Sequence, residues 1–219
     1  MKIKSDNIWF TSDTHYSHQN ICKGVTKWPI ETEAQLDQVR DFPDLEAMNK
    51  AIVDGINDNV EENDWLIHCG DWSFGGFDKV NLLREQINCK NIVLLIGNHD
   101  HHIESNRNDV QKLFTRVSHY LELSVGEKKH KKIIVCHYPI VSWNGMTQGN
   151  YMIHGHQHLK REQRYGNGKR FDVGLCGSPE FRPYHIDEIH ALIENRPIYE
   201  IVGHHDKEVK NSLNPYNLQ

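Results

Sequence analysis

Asp13 and His15 stand two positions apart, and similar side chains recur along the chain. Asp71 follows Gly70; Asn98, His99 and Asp100 follow Gly97; His137 stands alone; His156 and His158 follow Gly155. Imidazole nitrogen suits zinc, iron, manganese and nickel, while carboxylate and amide oxygens favour harder ions, so this mixed set points to transition metal rather than calcium. Asp13, His15, Asp71, Asn98, His137, His156 and His158 are too many donors for one ion. Two cations about 3.5–4 Å apart, sharing a carboxylate, would use them all and leave positions for water and substrate. A glycine precedes several of these donors, where the backbone must turn sharply close to the site.

Such a set has to be gathered from remote parts of the chain. Each member lies just past an apolar, strand-like run: Ile8 to Thr11, Trp65 to Cys69, Ile92 to Ile96, Ile133 to Cys136 and Tyr151 to Ile153. A further run covers Phe171 to Val173. Leu45, Met48, Ile52 and Ile56 recur at helical spacing after Pro43, and a shorter helix is predicted over Asp78 to Gln86. Alternating strands and helices in the first half predict a right-handed parallel α/β unit. The second half, richer in strands and turns, predicts a second sheet packed on it. Ligands of open α/β sheets bind beyond the carboxyl ends of the strands, which is where the donors stand.

Composition frames this reading. With 219 residues, 37% apolar and 25% charged, the chain suits one soluble domain, read as residues 1–206, followed by a polar tail at 207–219. No stretch approaches the roughly 20 apolar residues of a spanning helix, and MKIKSDN lacks the apolar core of a signal peptide, so the expected location is cytoplasmic. Cys22, Cys69, Cys89, Cys136 and Cys176 form no CxxC pair, which argues against both a disulfide framework and a zinc ribbon. A net charge of −5 argues against a protein that coats nucleic acid. Histidine is abundant, at 16 residues without a tag-like run, so some of them need a chemical role.

The ordered series Asp13-Thr14-His15, Gly70-Asp71, Gly97-Asn98-His99-Asp100, His137 and Gly155-His156-Gln157-His158 resembles the five motifs of the calcineurin-like metallophosphoesterases. VCHYPIVSW and DVGLCGSPEFRPYHIDEI also resemble small bacterial and phage-type members. The resemblance implies an α/β fold, a four-layer α/β/β/α sandwich of two mixed sheets flanked by helices, with a dinuclear site for phosphoester hydrolysis. It makes Asp13, His15 and His158 ligands of one ion, Asn98, His137 and His156 ligands of the other, and Asp71 the bridge. The ions would be two divalent transition metals (manganese, iron, zinc or nickel), with a hydroxide between them as nucleophile. His99 would protonate the leaving oxygen and Asp100 would orient its ring. The expected substrate is a small phosphoester or nucleotide-like compound, cleaved by a phosphodiesterase or phosphatase. A nuclease and a non-catalytic scaffold are the rival readings.

Other residues have more than one reading. Tyr16, His18 and Asn20 follow the first motif and suit either substrate contact or a helix start. Trp72, Phe74, Phe77 and Trp143 suit a stacking surface for a base or an aromatic closure of the core. Lys160, Arg161, Arg164, Lys169 and Arg170 form either a contact for a polyanion or a solvated face. His68 reads as a strand residue facing a helix, and His101 and His102 as solvated loop residues. No role is assigned to His204 and His205.

Overall fold

A computed structural model describes residues 1–125, 132–160, 163 and 165–198. The strands are β1 (Lys2–Ile3), β2 (Ile8–Thr11), β3 (Trp65–His68), β4 (Asn91–Leu95), β5 (Arg116–Ser118), β6 (Tyr120–Val125), β7 (Ile133–Cys136), β8 (Tyr151–His154), β9 (Arg170–Asp172) and β10 (Tyr184–His185). The helices are α1 (Glu33–Leu36), α2 (Leu45–Asn57), α3 (Phe77–Gln86), α4 (His101–Glu104) and α5 (Ile186–Ile193). They build two five-stranded mixed sheets with flanking helices, in the orders β10-β2-β3-β4-β5 and β1-β6-β7-β8-β9. In the first sheet β2 to β5 run parallel and β10 antiparallel; in the second, β7, β8 and β9 run parallel. This is the fold class expected from the sequence.

Side-chain alternation decides what each sheet face meets. Ile67, Val93 and Leu95 point toward Leu121, Leu123, Ile133 and Val135 of the other sheet, in an apolar layer between the two. Leu66, Ile92 and Leu94 face the opposite way, against Met48, Ile52 and Ile56 of α2 and Leu83 of α3. The Asp44 carboxylate caps α2 by accepting from Ala47 N at 2.8 Å, so the helix starts just past Pro43. On the outer face of the second sheet Ile134 and Met152 pack under Trp143 and Met146.

The consequence for function is geometric. The carboxyl ends of β2, β3 and β4 face those of β7 and β8 along one edge of the sandwich, where Ser12 bridges to Gly174 and Gly155 N donates to His137 O at 3.0 Å. Among the described residues no helix is long and apolar enough to cross a membrane. The 207–219 tail, Arg161, Arg164, His204 and His205 lie outside the described residues.

Candidate metal centre

Beyond β2 and β3 the chains keep pairing. Asp13 N donates to Gly70 O at 2.9 Å, His15 N to Asp71 O at 3.0 Å and Tyr16 N to Trp72 O at 3.3 Å. Asp13, His15, Asp71, His156 and His158 have φ of 55, 46, 59, 72 and 48°. This is the left-handed region, where Asp, Asn and His are the non-glycine residues found most readily. Each such residue costs on the order of 1 kcal/mol, so the surroundings must hold it there.

Three buried side chains do so. Gly70 N donates to His68 Nδ1 at 3.2 Å, which leaves the proton of the neutral ring on Nε2; that N–H donates to Thr14 Oγ1 at 3.0 Å, and the Thr14 hydroxyl donates to Trp72 O at 2.6 Å. Burial pushes His68 down to about 3, so the ring is neutral at pH 7. The Asp100 carboxylate accepts from Asp71 N (2.7 Å) and Gly97 N (2.9 Å) through Oδ2 and from Trp72 N (2.9 Å) through Oδ1. Arg40 reaches in from a distant loop and donates to Thr14 O at 2.8 Å and Asp13 O at 2.5 Å. His68, Asp100 and Arg40 together clamp the two turns that carry Asp13, His15 and Asp71.

The donors form two groups that share an oxygen. In the first, His15 Nε2 lies 2.9 Å from His158 Nε2 and 3.9 Å from Asp13 Oδ1, and His158 Nε2 lies 3.5 Å from the same oxygen. In the second, Asn98 Oδ1 is 2.9 Å from both His137 Nε2 and His156 Nδ1. Asp71 Oδ2 stands 3.5 Å from His15 Nε2 and 3.6 Å from His137 Nε2. At metal–ligand bonds of about 2.1 Å, neighbouring donors of a tetrahedral or octahedral ion are about 3.0–3.4 Å apart, close to this spacing. Ring orientation agrees with that fit. His137 Nδ1 donates to Cys69 O at 2.8 Å, so Nε2 is the ring nitrogen turned toward the two oxygens. A cation at this point would lie within reach of His137 Nε2, Asn98 Oδ1 and Asp71 Oδ2 together.

Burial and mutual charge shift three of these donors. Burial, outweighing the His99 N–H bond and reinforced by Asp13 and Asp100, pushes Asp71 up to about 8. A divalent cation beside this buried carboxylate would supply positive charge that favours its ionised form. Burial holds His15 well below the usual imidazole range, in the neutral form that ligates metal. Burial also opposes protonation of His158, yet the Asp13 carboxylate beside it raises the ring to about 10.

All seven donors read from the sequence therefore meet. His99 stands beside them: its ring lies 5.2 Å from that of His15, its N–H donates to Asp71 Oδ1 at 2.8 Å, and its ring belongs to neither donor group. Two of the remaining expectations need correction. Asp100 does not orient the His99 ring: its carboxylate is turned to the backbone N–H groups of Asp71, Trp72 and Gly97, and the His99 ring is not among its hydrogen-bond partners. Tyr16 does not join the site: it is 4% exposed in the helix-side core, and its hydroxyl accepts from Gln86 Nε2 at 2.9 Å. His18 lies against the site, 5.6 Å from the His15 ring, and is buried. The Asn20 side chain accepts from Lys27 N at 3.3 Å and so closes a loop.

Trp72 and Trp143 are buried core residues, whereas Phe74 is 41% exposed beside His18 and His99. His68 faces the helices as expected. Lys160 is exposed and pairs with Asp37 at 2.5 Å, as a solvated residue would, whereas Lys169 is buried against Glu194 O and the half-buried Arg170 donates to Ile140 O at 3.3 Å. Sequence reasoning missed Arg40, which stands between Val39 and Asp41 with nothing nearby to mark it, and gave His68 no part in the site.

A family model described as calcineurin-like phosphoesterase matches residues 7–205. An uncharacterized protein of Methanocaldococcus jannaschii is 27% identical over 201 residues, covering 90% of this chain and 96% of that protein. The gene 66 protein of Mycobacterium phage D29 is 23% identical over 212 residues, covering 86% of this chain and 96% of its own. A crystal structure of a protein of unknown function from Aquifex aeolicus superposes with a TM-score of 0.56 at 21% identity, covering 85% of this chain and 98% of that one. At that identity the likeness shows the fold.

Proposed function

Because the chain belongs to the calcineurin-like phosphoesterase family, we propose that it hydrolyses small or nucleotide-like phosphoesters at a centre of two divalent cations. Asp13, His15 and His158 would hold one cation and Asn98, His137 and His156 the other, with Asp71 between them. The observation that carries this reading is the single carboxylate oxygen of Asp71, within 3.6 Å of an imidazole nitrogen from each group. Manganese, iron, zinc and nickel all suit the donor set.

When bound, a cation pair supplies Lewis acidity: it neutralises phosphoryl oxygens and brings the pKa of a coordinated water near neutrality. The chain's own residues supply placement and protons. Asp100, His68 and Arg40 keep the donor turns in their left-handed conformation, so little reorganisation is needed when substrate arrives. The His99 backbone is pinned to Asp71, which fixes its ring at the edge of the centre, and that ring delivers a proton to the departing oxygen.

Hydrolysis of bis-p-nitrophenyl phosphate and p-nitrophenyl phosphate, assayed with Mn²⁺, Ni²⁺, Zn²⁺ or Fe²⁺, tests the proposal. Turnover with one or more metals, lost together with metal uptake in Asp71→Ala, is the expected result. Stoichiometric metal uptake without turnover of either ester would instead favour a scaffold on this fold.

A further inference from the structure

Trp28 is 40% exposed on a loop that its own hydrogen bonds hold in place. Thr26 Oγ1 donates to Asn20 O at 2.7 Å and accepts from Trp28 N at 3.1 Å, while Lys27 N donates to Asn20 Oδ1. The indole lies edge-on to His18 at 5.8 Å, and His18 in turn stacks on Phe74 at 4.0 Å. The indole thus adjoins the rings that border His15 and His99. Trp28 also lines a cleft of about 350 Å³ that includes His156 and His158. That volume falls within the roughly 300–1,000 Å³ of small-ligand sites.

We propose that this cleft is a subsite for a planar, hydrogen-bonding ring, the nucleobase of a nucleotide, with Trp28 as the stacking platform and specificity-determining contact. The inference rests on the phosphoester reading above, since it is the phosphoryl group at the centre that brings its organic part into the cleft. The lining selects the occupant. The amides of Gln38 and Gln157 share the lining with the indole, and they can both donate and accept at the edge of a base. Asp37 also lines the cleft, but its charge is paired with Lys160 at 2.5 Å, so the occupant need carry no charge there. Ile21 and Trp28 are the apolar members of this lining, too few to suit an acyl chain. Stacking on an aromatic side chain contributes about 1–3 kcal/mol per base, or roughly fivefold to over a hundredfold in affinity.

The test compares two ligands that share a phosphate and a sugar and differ by the base. Manganese-loaded protein is titrated with AMP and with ribose 5-phosphate, by rapid-mixing tryptophan fluorescence and by calorimetry. AMP is expected to bind about tenfold or more tightly and to quench fluorescence. Trp28→Ala should weaken AMP to the level of ribose 5-phosphate and leave ribose 5-phosphate unchanged; Trp28→Phe should retain most of the preference. Because Trp28 is exposed, both variants should fold, which circular dichroism checks. Equal affinities in the wild type, failure of both ligands to bind, or equal weakening of both by Trp28→Ala would overturn the subsite. A base preference that follows Trp28 supports it even if no p-nitrophenyl ester is turned over, the result that counts against phosphoester hydrolysis itself.

Discussion

A carboxylate turned toward three backbone N–H groups is aimed at the main chain rather than at an imidazole. Asp100 is in that position, and the amides it holds belong to Asp71, Trp72 and Gly97, on either side of the donor cluster. Asp100→Asn places an NH₂ group against at least one of those N–H donors, and unpaired buried groups cost about 1–3 kcal/mol. We expect urea unfolding to show that loss, accompanied by weaker metal uptake. His99→Gln should do the reverse, keeping stability and metal while kcat falls roughly 10²–10⁴-fold, with the smallest loss for esters whose leaving group is already a weak base. An Asp100→Asn enzyme that stayed stable and metal-replete but slow would return Asp100 to the role first expected of it. The seven donors were legible because their residue types and their places after strands both appear in the chain. The clamps were not, because the partners of Asp100, His68 and Arg40 are backbone groups that come within reach only in the folded protein.

At the scale of elements, strand ends and tight turns set the geometry. The strands that deliver donors were found within a residue of their observed bounds, since buried parallel strands read as continuous apolar runs. β6 and α5 were missed for different reasons. In β6 the buried Leu121, Leu123 and Val125 alternate with Glu122 and Ser124, so no continuous apolar run advertises a strand. In α5 the signal was present, with Ile186, Ile189 and Ile193 on one face and a His185–Glu188 capping box, but the segment was read only for its family likeness. Two predictions belong here. A Cβ at Gly155 would lie 1.9 Å from Ser12 Oγ and 2.4 Å from Asp13 Oδ2, so Gly155→Ala should displace a donor and abolish metal binding, read as metal content after gel filtration. At α5, the hydrogen bonds from Arg182 hold the Glu188 carboxyl below its ordinary value of 4.5. A carboxyl with a lowered folded pKa stabilises the fold above its unfolded pKa, and that contribution fades as pH falls through the folded value. Wild type should therefore exceed Glu188→Gln in stability at pH 7, and urea titrations should show the gap closing below about pH 4.5.

Across the whole molecule, the donors come from both sheets. Asp13, His15, Asp71 and Asn98 follow strands of the first sheet, and His137, His156 and His158 follow strands of the second, so each donor group spans the seam between them. Cations held there would tie one sheet to the other and offset both the mutual repulsion of Asp13 and Asp71 and the strain of five left-handed donors. The unfolded chain has no such site, so metal should bind the native state selectively, and stabilisation follows RT ln(1 + [M]/Kd). At a free metal concentration a hundredfold above Kd this amounts to about 2.7 kcal/mol. In a chain of this length each kcal/mol shifts Tm by about 2–4 °C, so Mn²⁺ or Zn²⁺ should raise Tm by about 5–10 °C and EDTA should reverse the change. Asp71→Ala should abolish most of the shift by removing the donor common to both groups. Thermal unfolding of the wild type that is indifferent to every metal tried, at concentrations that saturate a nanomolar or micromolar site, would mean that the seam is held by protein contacts alone.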